Sequence, residues 1–313
     1  MSLVSVIIPN YNHSEFLKER IDSVLNQSYN NFEVIILDDN SSDNSREIID
    51  SYNNHEKIAH IEYNNTNSGS TFVQWKKGIE LAKGNWIWIA ESDDVAAPTF
   101  LEILLRKANQ DDSQIAYCNS AIIDPDGNLS TVYGFSNMPS QDAFPTFRAN
   151  FTQTSREFII NWMLTDNFIP NASGAIFKKD YLSSSVQLME INIKMKLMGD
   201  WYFWLDFLMK TQRISYISDQ LNQFRNHPNN VRSRQLKNRT LEFGPIFNLL
   251  KKNNIPIEKS VSTFLFRYFN DELYKQFTFS EHMKVFELSI RYGFAWLYLK
   301  SSINYLRHSK LSK

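Results

Sequence analysis

Mostly apolar runs and helical stripes alternate along the first 120 residues of this chain. Leu3–Ile8 is a strand-like run closed by Pro9-Asn10-Tyr11-Asn12. Ser14–Asn26 follows with Phe16, Leu17, Ile21, Val24 and Leu25 on one helical face. Glu33–Leu37 predicts a second strand, and Ser42 through about Tyr52 a second helix, with Asp43 at its N-terminus. Ile58–Tyr63 predicts a third strand, Thr71–Ala82 a third helix stopped by Lys83-Gly84, and Asn85–Ala90 a fourth strand. Repeated strand–helix–strand units imply a parallel sheet with right-handed crossovers and helices on its faces.

Beyond residue 97 the alternation loosens. Pro98–Asn109 predicts a helix, Gln114–Cys118 a strand, and Asp124-Pro125-Asp126-Gly127 a turn joining strands. Residues 134–155 are polar and read as a long loop of the kind that serves as a lid or binding loop. Ala175–Lys178, Ile214–Ile217 and Gln220–Arg225 predict strands, and Gly199–Met209 a strongly aromatic helix. From Val231 the pattern is helical, with a break near Asn253–Pro256.

Charge divides the chain where the pattern changes. The whole carries a net charge of -1, but Val231 to the end holds 15 Lys and Arg against 6 Asp and Glu, leaving 18 against 28 before it. A basic, amphipathic C-terminal region suits an anionic membrane surface, or helices packed on the domain or on a partner subunit. The single cysteine, Cys118, excludes an intramolecular disulfide and reads as a small core residue. No apolar run reaches the roughly 18 residues of a spanning helix, and Val4–Ile8 is too short for the core of a signal peptide. A glycosylation triplet, Asn12-His13-Ser14, lies in the expected crevice, where a glycan would block it. A cytoplasmic location, with peripheral contact at the inner face of the cell membrane as an option, is therefore expected.

Candidate chemistry gathers at strand ends. Val34–Leu37 stops at Asp38-Asp39, and Trp86–Ala90 stops at Glu91-Ser92-Asp93-Asp94. In open α/β sheets that edge is where ligands bind. One Asp-Asp pair is explained by a solvated turn or helix cap; two at two strand ends point to a site. No glycine fingerprint follows the first strand and no P-loop is present, so a diphosphate here needs a cation or basic side chains. Hard carboxylate oxygens suit Mg²⁺ or Mn²⁺.

The segments Leu3–Asn12, Ile35–Asp43 and Ile87–Asp94 together resemble glycosyltransferase family 2 over about residues 3–230. The resemblance implies a GT-A (Rossmann-like) fold, a mostly parallel sheet flanked by helices, here with a helical C-terminal extension. Its extent, with the change of pattern and charge at Val231, divides the chain into a catalytic domain over 1–230 (a nucleotide-binding half to about 120, an acceptor half from about 121) and a helical basic region over 231–313. It implies that Pro9 and Tyr11 lie against a nucleotide base, that Asp39 accepts a hydrogen bond from a uracil-type base with Asp38 beside it, and that Asp93 and Asp94 hold the metal, with Asp93 also facing the nucleotide. Glu91 stands where many relatives have Asp and is a candidate contact for acceptor or phosphate. The arginine that relatives carry before the glycine matching Gly78 is missing, and Gln74 or Lys77 is the expected substitute.

The same resemblance makes Asp200 the catalytic base, with Gly199 where a Glu usually stands, and Trp201 beside it an acceptor-side candidate. It assigns His227 to the metal or diphosphate, Arg225 to phosphate, and Ser173-Gly174 to the acceptor's neighbourhood. The implied activity is inverting transfer of a sugar from a UDP- or dTDP-sugar donor to a hydroxyl of a glycan or lipid-linked acceptor in cell-surface polysaccharide synthesis. The expected cofactor is Mn²⁺ or Mg²⁺. Besides donor and acceptor, the partners considered are a membrane surface or a second copy of the chain, and not nucleic acid. Two alternatives are a sugar-1-phosphate nucleotidyltransferase, which normally has a Gly-rich, Arg-containing loop after the first strand, and a family member that binds nucleotide or glycan without turnover.

Overall fold

The computed structural model describes residues 2–130, 144–169, 171–182, 194–195, 197–228, 240–270 and 274–311. Part of the expected 134–155 loop, over 134–143, and the expected start of the helical region at Val231 lie outside the described residues.

The first half follows the sequence pattern closely. Strands β1 (Val4–Asn10), β2 (Phe32–Asp38), β3 (Ile58–Tyr63) and β4 (Trp86–Ile89) pair in parallel in the order β3-β2-β1-β4. Helices α1 (Ser14–Leu25), α2 (Ser45–Asp50) and α3 (Thr71–Leu81) connect them. β1 is buried throughout because both faces are covered, and its period of two sorts the side chains. Val4, Val6 and Ile8 join the core beneath α1 and α4 (Phe100–Gln110). Ile7 points the other way, into the core shared with α3. Contact there is close: a Cβ on Gly78 would overlap the Ile7 side chain, so glycine lets α3 lie against β1. Pro9 lies past Ile7↔Ile89, the last pair between β1 and β4, where its missing N–H leaves no gap in that ladder.

Past β4 the sheet becomes mixed. Among the described residues β5 (Val95–Ala96), β6 (Ile115–Ile123), β7 (Phe151–Thr154), β8 (Ala175–Lys178) and β9 (Arg213–Arg225) bring it to nine strands, in the order β3-β2-β1-β4-β8-β6-β9-β5 with β7 on β9. β8 (Ala175–Lys178) lies antiparallel between β4 and β6 (Ile115–Ile123). The two strands expected over 214–225 are one, β9 (Arg213–Arg225), parallel to β6 with register shifts around Cys118–Ser120. Those shifts absorb the polar residues near Asp219 that read as a break. β5 (Val95–Ala96) and β7 (Phe151–Thr154) escape periodicity analysis because two and four residues carry no pattern. β7 falls within the expected long loop; after it α5 (Ser155–Phe158) opens with a capping box of Thr154 and Glu157. The 124–127 turn is present, with Gly127 N donating to Asp124 O at 3.1 Å and Ile123 bridging Leu129.

Helix α6 (Gly199–Lys210) and the C-terminal helices α7 (Phe243–Lys252), α8 (Glu258–Tyr268), α9 (Phe279–Tyr292) and α10 (Ala295–Leu311) are the remaining long helices among the described residues. The C-terminal helices share one core with the sheet: the Trp201 and Phe243 rings are 5.7 Å apart, those of Phe243 and Phe264 5.2 Å, and Ser260 Oγ donates to Leu164 O at 2.5 Å. No helix among the described residues is long and apolar enough to cross a membrane. Cys118 is buried in β6, and burial pushes its thiol up to about 12, which suits a packing residue.

Candidate active site

Register places the chemistry. Asn10, the last residue of β1, pairs with Asp38, the last of β2, and β4 ends beside them. Two loops are laced across this edge. Asp38 is buried and accepts from Asn10 Nδ2 at 2.8 Å, Ser41 Oγ at 2.6 Å and Ser41 N at 3.0 Å. Asn12 and Asn40 adopt positive φ (55° and 62°), a conformation asparagine tolerates, and Asn12 Oδ1 accepts from Ser42 N at 2.7 Å. Tyr11 projects from this edge, 46% exposed.

Asp39, expected against a base, is held from four sides. Its carboxylate accepts from Asn64 Nδ2 at 2.7 Å, Ser68 Oγ at 2.7 Å, Ser68 N at 3.0 Å and Gln74 Nε2 at 2.8 Å. Gln74 is therefore an orienting residue for Asp39. Lys77, the other expected substitute for the missing arginine, is turned toward β3: its ammonium pairs with Glu62 and donates to Asn64 Oδ1 at 3.1 Å. An ammonium so engaged supports Asp39 through Asn64.

The acid loop after β4 is held from beneath by residues of other elements. Ser173 accepts from Glu91 N at 3.1 Å, and its carbonyl takes the Trp88 indole N–H at 2.8 Å. Gly174, N-terminal to β8, is buried and donates its N–H to Asn171 Oδ1 at 2.8 Å. Both residues thus build the floor of the loop. Arg20, on the buried face of α1, donates from Nε to Glu91 O at 2.8 Å, and its Nη2 lies 3.9 Å from Asp94 Oδ2. An arginine among Phe16, Leu17, Ile21 and Val24 was the sequence signal for this role.

Arg225 is a staple. It is 1% exposed and donates from N to Asp94 Oδ1 at 3.0 Å, from Nε to Asp93 O at 2.9 Å, from Nη1 to Pro125 O at 2.8 Å and from Nη2 to Glu19 Oε2 at 2.5 Å. Its expected role toward phosphate gives way to this one, because its guanidinium is committed to protein carbonyls and a carboxylate. Asp94, expected beside Asp93 on a metal, likewise turns inward to Arg225 N and Arg20.

Asp93 faces two imidazoles. His227 Nε2 is 3.1 Å from Asp93 Oδ2, and His13, Asp93 and His227 offer ligand atoms that all lie within 4.8 Å of one another. His13, absent from the expected set, comes from the loop after β1, and its Nδ1 is 2.8 Å from Ser92 Oγ. The His13–His227 ring centroids are 5.4 Å apart.

Opposed electrostatics follow from the packing. Burial works to raise the Asp93 carboxyl, but the His227 hydrogen bond and the His13 charge hold it below its ordinary value. Burial and then the Asp93 charge push Glu91 up to about 8 and Asp94 up to about 7. Burial lowers His13. Because Glu91 and Asp94 carry raised values in the folded state, the metal-free fold retains protons that the unfolded chain releases above about pH 4. Their stabilisation is complete below that pH and is lost as pH rises through about 7 and 8. His13 is shifted the other way, so its own effect is confined to pH below about 6.5. The urea midpoint measured in EDTA should fall between about pH 6.5 and about pH 8.5; a rise over that interval would contradict the shifts.

Asp200 stands in the first turn of α6, partly exposed, accepting from Trp201 N at 2.8 Å and Asn167 Nδ2 at 3.1 Å. Gly199 beside it has a packing cause: a Cβ there would run into the Phe72 ring. Phe72 in turn packs edge-on against Trp75 at 4.8 Å, and the Trp75 indole donates to Glu91 Oε1 at 2.8 Å. This chain of contacts ties the start of α6 to the acid loop. Trp201 is not available to an acceptor; it is fully buried, with Nε1 donating to Met163 O at 2.9 Å.

The family described as glycosyl transferase family 2 matches residues 5–180, more than half of the chain. Glycosyltransferase GlyG of Streptococcus pneumoniae serotype 4 is 35% identical over 131 residues, covering 41% of this chain and 42% of its own. Chondroitin synthase of Escherichia coli is 31% identical over 186 residues, covering 58% of this chain and 26% of the synthase. The matches therefore span less than half of these relatives. Among solved structures, S. aureus TarS 1-349 in complex with UDP-GlcNAc superposes with a TM-score of 0.69 at 17% identity, over 93% of this chain and 80% of that one.

Proposed function

The chain belongs to glycosyl transferase family 2 and has the GT-A fold; from that premise we propose that it is a metal-dependent, inverting enzyme that moves a sugar from a UDP- or dTDP-sugar to a hydroxyl of a glycan or lipid-linked acceptor. The observation that carries this reading is the chain of contacts through Phe72, Trp75 and Glu91, which links the helix start bearing a base candidate to the loop bearing a candidate cation site. Relatives named for chondroitin and teichuronic acid synthesis support a role in cell-surface polysaccharide assembly. The reading assigns catalysis to residues 1–230 and puts the protein in the cytoplasm, with its acceptor at the inner face of the membrane.

In this reading the base lies against Pro9, Tyr11 and Asp39. The clamps on Asp39 from Asn64, Ser68 and Gln74 fix its carboxylate before the nucleotide arrives, so little ordering is left for binding. The donor set fits a divalent ion: Asp93 is held charged, and His227 Nε2 is within 3.1 Å of it. Asp93 and His227 would hold Mn²⁺ or Mg²⁺, which supplies positive charge to a departing diphosphate. Asp200 accepts the proton of the acceptor hydroxyl as that oxygen attacks the anomeric carbon, and the acceptor C–O bond forms as the bond to the diphosphate breaks.

The test is thermal. UDP with Mn²⁺ should raise the melting temperature of the full chain, with the logarithm of ligand concentration over its dissociation constant. Neither alone should match the pair. The nucleotide sugar giving the largest rise then identifies the donor. A melting temperature indifferent to every nucleotide, with and without metal, would remove the donor from this reading.

A further inference from the structure

We propose that His13 is a direct ligand of the metal, and that two imidazoles beside one carboxylate make the site select Mn²⁺ and similar transition ions over Mg²⁺. The inference rests on the metal-dependent reading above and specifies the site in it.

Four observations converge on His13. It occupies the N-cap position of α1, where Ser, Thr, Asp or Asn is preferred because the side chain caps the helix. His13 makes no such bond; its carbonyl accepts from Phe16 N and Leu17 N, and Ser14 N is served by Asp43 at 2.8 Å. The imidazole is instead committed to the acid loop, with Nδ1 at 2.8 Å from Ser92 Oγ. When Nδ1–H donates to that oxygen, the Nε2 lone pair is the one left for a metal, as in sites where an outer partner fixes the tautomer. One ligand atom each from His13, Asp93 and His227 lies within 4.8 Å of the other two, and Asp93 Oδ2 and His227 Nε2 are 3.1 Å apart. Adjacent ligands at about 2.1 Å from an octahedral ion stand about 3 Å apart, so one ion reaches all three with small side-chain movements.

Selectivity follows from the donor atoms. Mg²⁺ prefers oxygen and gives up water reluctantly. Imidazole nitrogen suits transition ions, whose affinities for such sites increase along the series from Mn²⁺. A site made of carboxylates and waters would tolerate Mg²⁺, whereas replacing two oxygens by nitrogens penalises it.

The experiment uses the full chain with UDP, titrated with Mn²⁺ and followed by electron paramagnetic resonance. Pulsed measurements on ¹⁵N-histidine-labelled protein count the coupled imidazoles without any substitution. Two coupled imidazoles in the unsubstituted protein, and one in His13→Asn, are expected. His13→Asn should also lose Mn²⁺ affinity by about 10–100-fold, with little change for Mg²⁺, so the preference between ions shrinks. One coupled imidazole in the unsubstituted protein, or unchanged Mn²⁺ affinity in a folded His13→Asn, overturns the assignment while leaving the glycosyltransferase reading intact. Failure of the unsubstituted protein to bind UDP with any divalent ion would defeat that reading itself.

Discussion

Asp200→Asn should lower kcat by about 10²–10⁴-fold, the usual contribution of a positioned base, while the affinity for UDP with Mn²⁺ stays the same. Asparagine keeps the shape of aspartate and can still accept from Trp201 N, which bonds Oδ1 at 2.8 Å. Its amide nitrogen meets the Asn167 donor now 3.1 Å from Oδ2, a local loss that leaves the helix start in place. What disappears is the capacity to take a proton. Steady-state transfer assays set beside calorimetric binding of UDP separate the two effects. Transfer at the unsubstituted rate would show that another group is the base; loss of UDP binding along with transfer would show that Asp200 shapes the donor site.

Arg225→Met has the largest expected effect on stability, a loss of about 2–4 kcal/mol, from removing a buried guanidinium and the hydrogen bonds it donates. Methionine fills similar volume but leaves the carbonyls of Asp93 and Pro125 without the donors that Nε and Nη1 supply at 2.9 and 2.8 Å. An unmet buried acceptor costs about 1–3 kcal/mol, and less where, as at exposed Pro125, water can replace the donor. Glu19→Gln serves as the comparison: its side chain is 55% exposed, so losing that charge should cost under about 1 kcal/mol. Arg225→Lys should not rescue, because one ammonium cannot serve acceptors arranged around a planar fork. Urea unfolding midpoints read these differences. An unchanged midpoint accompanied by weaker UDP binding would return Arg225 to the phosphate role that its sequence position suggested.

Arg225 also shows where reading from sequence stops. Its place beside His227 at the end of β9 was legible, and so was its chemical suitability for phosphate. Its partners were not, because Glu19, Asp93 and Pro125 come from three distant segments. Asp94 and Lys77 follow the same course: each has a residue type fit for a ligand, and each is claimed by a protein neighbour, Arg20 and Arg225 in one case, Glu62 in the other. His13 was passed over for the opposite reason. A lone histidine at a helix start carries no pattern, and it acquires meaning only when β1 and β4 bring it beside Asp93.

The sequence by itself determined the parallel half of the sheet, the helices that cover it, and the acids at the ends of β2 and β4. Those features depend on periodicity and on where an apolar run stops, both properties of neighbouring residues. Tertiary structure decided the antiparallel insertion of β8, the single bulged β9, the packing of Gly199 on Phe72, and which charged groups face inward and which face the crevice. A side chain's partner is chosen by whatever distant segment folding sets within about 3 Å of it, and burial then fixes its charge by removing the water that would otherwise compete.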